Sequence, residues 1–385
     1  MNTHARTILF GAVLTVTLAG ADAESFWHRL QVHGSASQGL LFSSNNNWFT
    51  TDSSHASGAW TEGSLNASLP VTDHFRLGAQ VHSYDLGQIS KFRPSLDWVF
   101  GDYKFNNYFG VRAGRVKTPM GLFNDIQDID TVYPWALLPQ SVYPPDMRSW
   151  HLAHTGFVAY GELRLPAHAG AVSWQGYGGE RSQNPHEGYA MILGQEGTIL
   201  GNAGGPTMGA DLRWTTPLAG LLVGASYLKT NMTAPHALSE GEVVRGTVRY
   251  VTQDFYAEFE KGRLKLDAEF NIEPSWEKFG TPDYTYNPSR IWYVMGTWRL
   301  TDKLTTGMYY SSDLGFDADT RDRHDPGNYS RETALNVRCD LNRHFYVKLE
   351  GHYVAGYANG FYPANNPQGL ARVSRLLATR IGFTF

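Results

Sequence analysis

The chain contains 385 residues, of which 42% are hydrophobic, 18% are charged and 14% are aromatic, with 40 glycines but a single cysteine. This aromatic content excludes a disordered chain, Cys339 alone excludes a disulfide scaffold, and a formal net charge of -4 does not suit nucleic-acid binding. After the first 20 positions, no apolar run is long enough for a membrane-spanning helix. What remains is a composition typical of a β-rich protein.

Residues 1–23 have the organisation of a secretory signal peptide. Arg6 provides the positive start, 7–20 is an apolar stretch, and Ala21 and Ala23 frame a small-residue cleavage site. An uncleaved membrane anchor is the alternative, but the run is short and small residues follow it directly. We therefore expect residues 24–385 to be the exported mature chain.

From residue 29 onward, apolar and polar residues mostly alternate with a period of two residues, which is typical of a β-strand with one apolar face. In the first segment, apolar Leu40 and Phe42 lie on one parity, and polar His33 and Ser35 lie on the other. The segments with this pattern are 29–42, 58–70, 74–84, 95–105, 108–117, 155–165, 169–178, 207–215, 220–230, 243–251, 254–262, 264–273, 290–299, 303–312, 331–341, 344–356 and 372–385. Whether 243–262 is one strand or two is left open, so about sixteen strands are predicted, with fourteen and eighteen as alternatives.

The connections between these segments alternate in length. Short turns rich in Pro, Thr, Asp and Gly, such as 70–73 and 300–303, follow some segments. Long polar stretches follow others, and these are 43–57, 179–206, 231–242, 273–289, 313–330 and 357–371. Short turns at one end and long loops at the other are typical of a transmembrane β-meander.

Two architectures fit the alternation, a soluble sandwich or propeller and a transmembrane barrel. The barrel is favoured because a signal peptide exports the chain and aromatic residues cluster near strand ends. The last segment also ends on Phe385, which resembles the assembly signal of bacterial outer-membrane barrels. The predicted fold is all-β: one transmembrane antiparallel β-barrel of about 16 strands, spanning 24–385 and surrounded by lipid of the bacterial outer membrane.

Residues 118–154 break the alternation. The stretch contains five prolines, which oppose regular ladders, together with apolar side chains such as Phe123 and Trp135. It is too long for an ordinary loop, and its apolar residues would be poorly solvated if it projected into water. We expect it to fold inward, as a constriction loop that narrows the lumen.

Part of the sequence resembles a known family. The runs 114–124 (GRVKTPMGLFN) and 138–143 (LPQSVY), with Asp128 and Pro134 between them, are similar to the segment after an early strand of the phosphate-selective porin O and P family. Residues 214–227 are similar to its mid-barrel hairpin. The resemblance implies a sixteen-stranded, homotrimeric outer-membrane channel with an inward-folded third loop.

Charged residues provide the candidate sites of such a channel. The candidates for the electrostatics of the constriction are Arg115, Lys117, Asp128, Asp130 and Arg148. The candidate pore-lining residues, on the polar parity of the strands, are Arg76, Arg112, Glu162, Arg164, Arg213, Arg338, Lys348 and Glu350. Phosphate selectivity requires a cationic track, whereas 112–164 contains five basic and five acidic residues. The charges therefore favour a general or solute-specific porin.

The predicted function is passive diffusion of small hydrophilic solutes or ions, without a cofactor or a metal. The sequence contains no GxSxG, HExxH, P-loop or GxGxxG motif. Asp146, His151 and His154 could form an acid–histidine pair with Ser141 or Ser149, although 14 histidines make such proximity common. The alternative is a non-conducting outer-membrane barrel that acts as an enzyme or adhesin through its loops. A carrier of apolar substrates is disfavoured because the inward parity is charged.

Overall fold

The computed structural model describes residues 28–49, 51–87, 89–183, 185, 188, 190, 200–238, 241–280, 282–315, 322 and 324–385. The predicted signal peptide lies outside these residues. So do parts of the predicted long connections 179–206 and 313–330.

The described part of the chain forms one antiparallel sheet of β-strands. The first nine strands are β1 Gln31–Ser43, β2 Trp60–Pro70, β3 Phe75–Leu86, β4 Ser95–Lys104, β5 Gly110–Lys117, β6 Ala153–Arg164, β7 Ala171–Gln183, β8 Ala203–Thr215 and β9 Leu221–Ala237. The remaining strands are β10 Val243–Lys261, β11 Leu264–Ile272, β12 Ser275–Lys278, β13 Thr285–Asn287, β14 Ser289–Arg299, β15 Leu304–Gly315, β16 Tyr329–Asp340, β17 Phe345–Gly356 and β18 Val373–Thr384.

The sheet closes on itself. Strand β1 pairs with β2 on one side and with β18 on the other, where Leu40 lies opposite Thr379. Strands β12 and β13 prolong β11 and β14, because β10 pairs first with β11 and then with β12, while β11 pairs with β14. The result is a closed barrel of sixteen strands, which confirms the predicted fold class. Residues 243–261 form one strand, which decides the question that the sequence left open.

The outer face of the barrel is apolar. Large side chains at alternate positions stay exposed, among them Leu40 (47%) and Phe42 (44%) in β1 and Leu349 (49%) in β17. On the opposite parity of β17, Lys348 and Glu350 are buried inside the barrel. An apolar outer band and a polar interior are the surfaces that lipid and a lumen require.

Several strands continue beyond the predicted limits at the long-loop end. More than half of the predicted connection 231–242 lies within β9, which pairs with β10 as far as Ala237 and Val243. That boundary was wrong because the apolar signal weakens where a strand leaves lipid, while the backbone hydrogen bonds continue. The described segments outside the sheet include 3₁₀ turns at Ser53–His55, Pro145–Met147, Pro166–His168, Pro326–Asn328 and Pro363–Asn365, and the short helix α1, Arg148–His151. No helix in the described part of the chain is both long and apolar enough to span a membrane.

Candidate functional site

The segment between β5 and β6, residues 118–152, lies inside the barrel, and we call it the inward loop. Trp135 at its centre is fully buried, and its ring lies 4.7 Å from the ring of Tyr309 on β15. Prolines at both ends prevent the loop from joining the sheet, and its apolar residues leave water by packing on the wall. The predicted inward fold of this segment is thus present in the structure.

Apolar side chains hold the loop on two sides of the lumen. On one side, Ala136 and Leu137 belong to a buried cluster with Leu41, Trp60 and Leu376, which lie on β1, β2 and β18. On the other side the wall residues come from β10 and β14–β16, and this second buried cluster contains Leu122, Phe123, Tyr143, Tyr256, Ile291, Tyr293 and Met295. Apolar patches thus interrupt the charged inward face where the loop packs on the wall.

The loop begins with a close approach to carboxylates of the wall. Gly121 has φ +60°, and a Cβ atom there would lie 2.7 Å from Oδ2 of Asp254. Its amide donates to Oγ of Ser226 at 3.0 Å, and the next amide, of Leu122, donates to the carboxylate of Glu269. Only glycine combines this backbone conformation with so little space.

Two of the predicted constriction residues bind each other. Nζ of Lys117 lies 2.7 Å from Oδ1 of Asp128. The other oxygen of Asp128 accepts from Nε2 of Gln80 at 2.8 Å and from Nε1 of Trp98 at 3.2 Å. Asp128 therefore ties the loop to β3, β4 and β5, and its charge is neutralised locally.

Asp130, a third candidate, is held by the opposite wall. Its Oδ1 lies 2.7 Å from Nζ of Lys348 and 3.3 Å from Nη1 of Arg380, and the hydroxyl of Tyr346 donates to Oδ2. The same Nζ donates to the carbonyl oxygen of Trp135 at 2.8 Å. Three donors from β17 and β18 thus satisfy a carboxylate that water scarcely reaches.

The last two constriction candidates lie beside Asp97 on β4. Arg148 of α1 makes two bonds to Asp97 on β4, at 3.1 and 2.7 Å. Burial alone would lower the pKa of Arg148, but the adjacent Asp97 carboxylate outweighs burial and raises this pKa. Arg115 lies opposite Thr155 and shares the face of the β5–β6 pair that carries Phe157, which is 51% exposed. Its Nε donates to the carbonyl oxygen of Asp97 at 2.8 Å. Arg115 is therefore placed on the outward parity.

Four of the predicted pore-lining residues bind the inward loop. Arg213 donates to the carbonyl oxygen of Gly121 and pairs with Asp125 at 3.2 Å. Arg338 donates to the carbonyl oxygens of Thr131 and Tyr133. The other two are Lys348, described above, and Glu350. The carboxylate of Glu350 accepts hydrogen bonds from the backbone amides of Ala136 and Leu137.

The other four lie nearer the short-turn end. Arg76 and Arg112 both pair with Asp102, at 2.9 and 3.3 Å. Glu162 and Arg164 are exposed near the end of β6. The thirteen candidates are therefore distributed over several places in the barrel.

Sequence reasoning missed wall residues that hold the loop, notably Asp97 and Arg380. Arg380 lies on the polar parity of the last strand, so the alternation itself could have identified it. Asp97 could not be found in this way, because it is the extra residue of a bulge where Gln80 pairs with Trp98 and Val81 pairs with Leu96.

A cavity of about 640 Å³ remains open between the end of the inward loop and the wall from β7 to β15, and we call it the vestibule. Its acidic lining residues are Asp146, Glu273, Glu277 and Asp313. None of the lining residues that the structure describes is lysine or arginine. The vestibule therefore has a negative lining on the long-loop side of the barrel.

Two loop residues of the vestibule have altered acidity. Burial raises the pKa of Asp146 to about 6, although the hydroxyl of Tyr362 donates to its Oδ2. Burial, with the nearby charge of Arg181, lowers the pKa of His151 to about 3. At neutral pH the carboxylate is charged and the imidazole is not, so His151 does not offset the acidic lining.

The acid–histidine pair considered from the sequence does not form among these residues. Asp146 bonds to Tyr362, whereas Nδ1 of His154 bonds to Oγ1 of Thr118 at 3.0 Å. Within the described ranges, no group of three or more His, Cys, Asp or Glu side chains is arranged to hold a metal ion.

No family model matches the sequence, and no curated protein matches it. Solved structures match 92% of the chain. They include a trimer form of OmpT, an outer membrane protein of Vibrio cholerae, at 11% identity and a TM-score of 0.59 over 99% of that chain. They also include the anion-selective porin from Comamonas acidovorans (11%, 0.58, 99% of that chain) and the outer membrane channel DcaP of Acinetobacter baumannii (11%, 0.55, 97% of that chain).

These likenesses establish the fold. The chain is a porin-type β-barrel of the bacterial outer membrane.

Proposed function

We propose that the chain is an outer-membrane porin, through which small hydrophilic solutes or ions diffuse passively. The observation that carries the proposal is the inward loop, which is fixed to several sides of a closed sixteen-stranded barrel and leaves the vestibule open beside it. A rigid loop of this kind narrows a lumen without an external gate. The channel requires no cofactor.

The ion pairs of the loop bear on selectivity. Lys117 pairs with Asp128, Lys348 pairs with Asp130, and Arg148 pairs with Asp97. Opposite charges at such distances largely cancel the field that a passing ion meets. The charges chosen from the sequence therefore act chiefly by positioning the loop. This supports a general or solute-specific porin over a phosphate-specific one.

The proposal also includes the family and the oligomeric state of the channel. The motif at 114–143 supports membership of the phosphate-selective porin O and P family without its substrate. A homotrimer is supported by that resemblance and by the trimeric form of the Vibrio cholerae protein. Native mass spectrometry in detergent would show a single species of three chains, and a monomer would contradict the assembly.

The first experiment is single-channel recording of the purified protein in a planar bilayer. We expect stepwise conductance, and a larger step when the centre of the inward loop is deleted, since that part crosses the lumen. Deletion of the exposed residues 282–284, between β12 and β13, is the control and should leave the step size much closer to that of the intact protein. Folded protein that never conducts would overturn the proposal.

One observation favours the alternative of a non-conducting barrel. The inward loop contacts strands on opposite sides of the lumen and is buried at its centre. In that case the long loops would be the working surface, as in an outer-membrane enzyme or adhesin. Absence of current from folded protein, combined with binding to cells or hydrolysis of a substrate, would support this alternative.

A further inference from the structure

The vestibule combines carboxylates with an apolar wall. Glu273, Glu277 and Asp313 line it from the long-loop ends of β11, β12 and β15, and Asp146 lines it from the inward loop. These residues come from four separate segments. They nevertheless border one cavity, so a solute in the vestibule meets negative charge from both the wall and the loop.

Two acceptors in this lining have no protein partner. Asp146 and Asn271 are each 2% exposed, and within the described part of the chain Oδ1 of each lacks a hydrogen bond. Leaving an acceptor without a hydrogen bond inside a protein destabilises the folded state. Both residues border the cavity, so a donor placed there would satisfy them.

Two basic side chains, one in the inward loop and one on β7, form hydrogen bonds with other groups of the protein. Arg148 binds Asp97 through both terminal nitrogens. Arg181 is buried, and its Nη1 donates to the hydroxyl of Tyr250 at 2.9 Å. Neither residue borders the cavity, so neither arginine occupies the space that a positively charged solute would fill.

Apolar side chains form much of the remaining lining. Met120, Val142 and Trp150 come from the inward loop, and Val248 and Ile291 come from the wall. A small inorganic ion gains little from these contacts, whereas a solute with a hydrocarbon part gains from burying it. The volume of about 640 Å³ is in the range of small-molecule sites.

We infer that the vestibule binds organic cations that carry an ammonium or guanidinium group on an apolar body. The cationic group lies among the carboxylates and donates to the free acceptors of Asp146 and Asn271. The apolar body packs on Trp150 and Ile291. The inference deepens the proposed channel function and rests on it, because the site lies on the route through the barrel.

Phenethylammonium is a suitable probe, and 3-phenylpropionate is its anionic counterpart. With the intact protein in a bilayer, we expect phenethylammonium on the long-loop side to block potassium chloride current at a concentration at least tenfold lower than 3-phenylpropionate. Isothermal titration of the detergent-solubilised protein should show the same order of affinity. Equal block by the two probes would overturn the inference.

Paired variants locate the site. Glu273→Gln with Asp313→Asn should weaken block by phenethylammonium at least tenfold. Asp73→Asn with Asp302→Asn removes two carboxylates from exposed short turns and should leave the block unchanged. If phenethylammonium still blocks the current of the Glu273→Gln, Asp313→Asn double variant as it blocks the intact protein, the inference is also overturned. If the intact protein conducts potassium chloride but binds neither probe, the inferred binding site is rejected and the porin proposal is kept. If the folded protein does not conduct, the porin proposal itself is rejected.

Discussion

Nζ of Lys348 on β17 lies 2.7 Å from Oδ1 of Asp130 in the inward loop, and both side chains are buried. Removing two charges from water is costly, so the pair is stable only because each partner has further hydrogen bonds. Lys348 also binds two loop carbonyl oxygens, and Asp130 also binds Tyr346 and Arg380. The pair fixes the centre of the loop at one position in the lumen.

Lys348→Met should therefore destabilise the folded barrel by about 3–5 kcal/mol, because Asp130 would lose its closest cation inside the protein. Urea unfolding in lipid vesicles measures this change, and single-channel recording should show noisier current as the loop is released. Lys303→Met, in an exposed turn, is the matched control and should change stability little. If both variants unfold alike, the pair does not hold the loop.

Gly121→Ala should disturb the start of the loop. The new Cβ would lie 2.7 Å from Asp254 and 3.0 Å from Glu269, in a backbone conformation that costs alanine about 1–2 kcal/mol. Gly262→Ala is the control, since Gly262 has a similar φ of +64° but open space around it. We expect altered conductance only for Gly121→Ala, measured in planar bilayers. Identical conductance in the two variants would contradict the close approach.

The bidentate pair of Arg148 and Asp97 should show strong coupling. A double-mutant cycle with Arg148→Gln and Asp97→Asn is expected to give about 2–3 kcal/mol, as for residues in one buried network. The exposed pair of Lys91 and Asp85, 3.1 Å apart, should give at most about 1 kcal/mol. Equal coupling free energies in the two cycles would mean that burial does not strengthen the interaction between Arg148 and Asp97.

The cation preference of the channel should fall on acidification. With a pKa of about 6, Asp146 is largely charged at pH 7.5 and largely neutral at pH 5, so its own negative charge is lost from the vestibule over this range. Tyr362 donates to it, and His151 nearby stays neutral because its pKa is about 3. Reversal potentials in a potassium chloride gradient measure the preference. Asp146→Asn should show a smaller change between the two pH values, and an equal change would exclude Asp146 as a contributor.

The fold could be predicted because it depends on a repeated pattern. Alternation of apolar and polar residues identified most strand segments, and the prolines of 118–154 identified the segment that leaves the sheet. The division of 243–262 could not be decided, because a strand that continues above the membrane changes its polarity without breaking its hydrogen bonds.

The site was less predictable, because charges that are far apart in sequence compensate one another in space. Asp128 and Asp130 are two positions apart, but they are bound by Lys117 on one side and by Lys348 on the other. A count of charges within the segment cannot show this. The acidic residues of the vestibule come from the inward loop, from the β11–β12 region and from β15, which are far apart in the sequence.

The seam between the first and last strands has a consequence for the order of assembly. Leu40 and Thr379 are 379 − 40 = 339 positions apart, and contacts of such separation form slowly because the chain between them must be ordered first. The same strand, β18, also supplies Arg380 to the inward loop. Closure of the wall and seating of the loop are thus one late event. Until then, the barrel has two unpaired strand edges that are open to pairing with other chains, and the inward loop lacks the contact with Arg380 that completes its attachment.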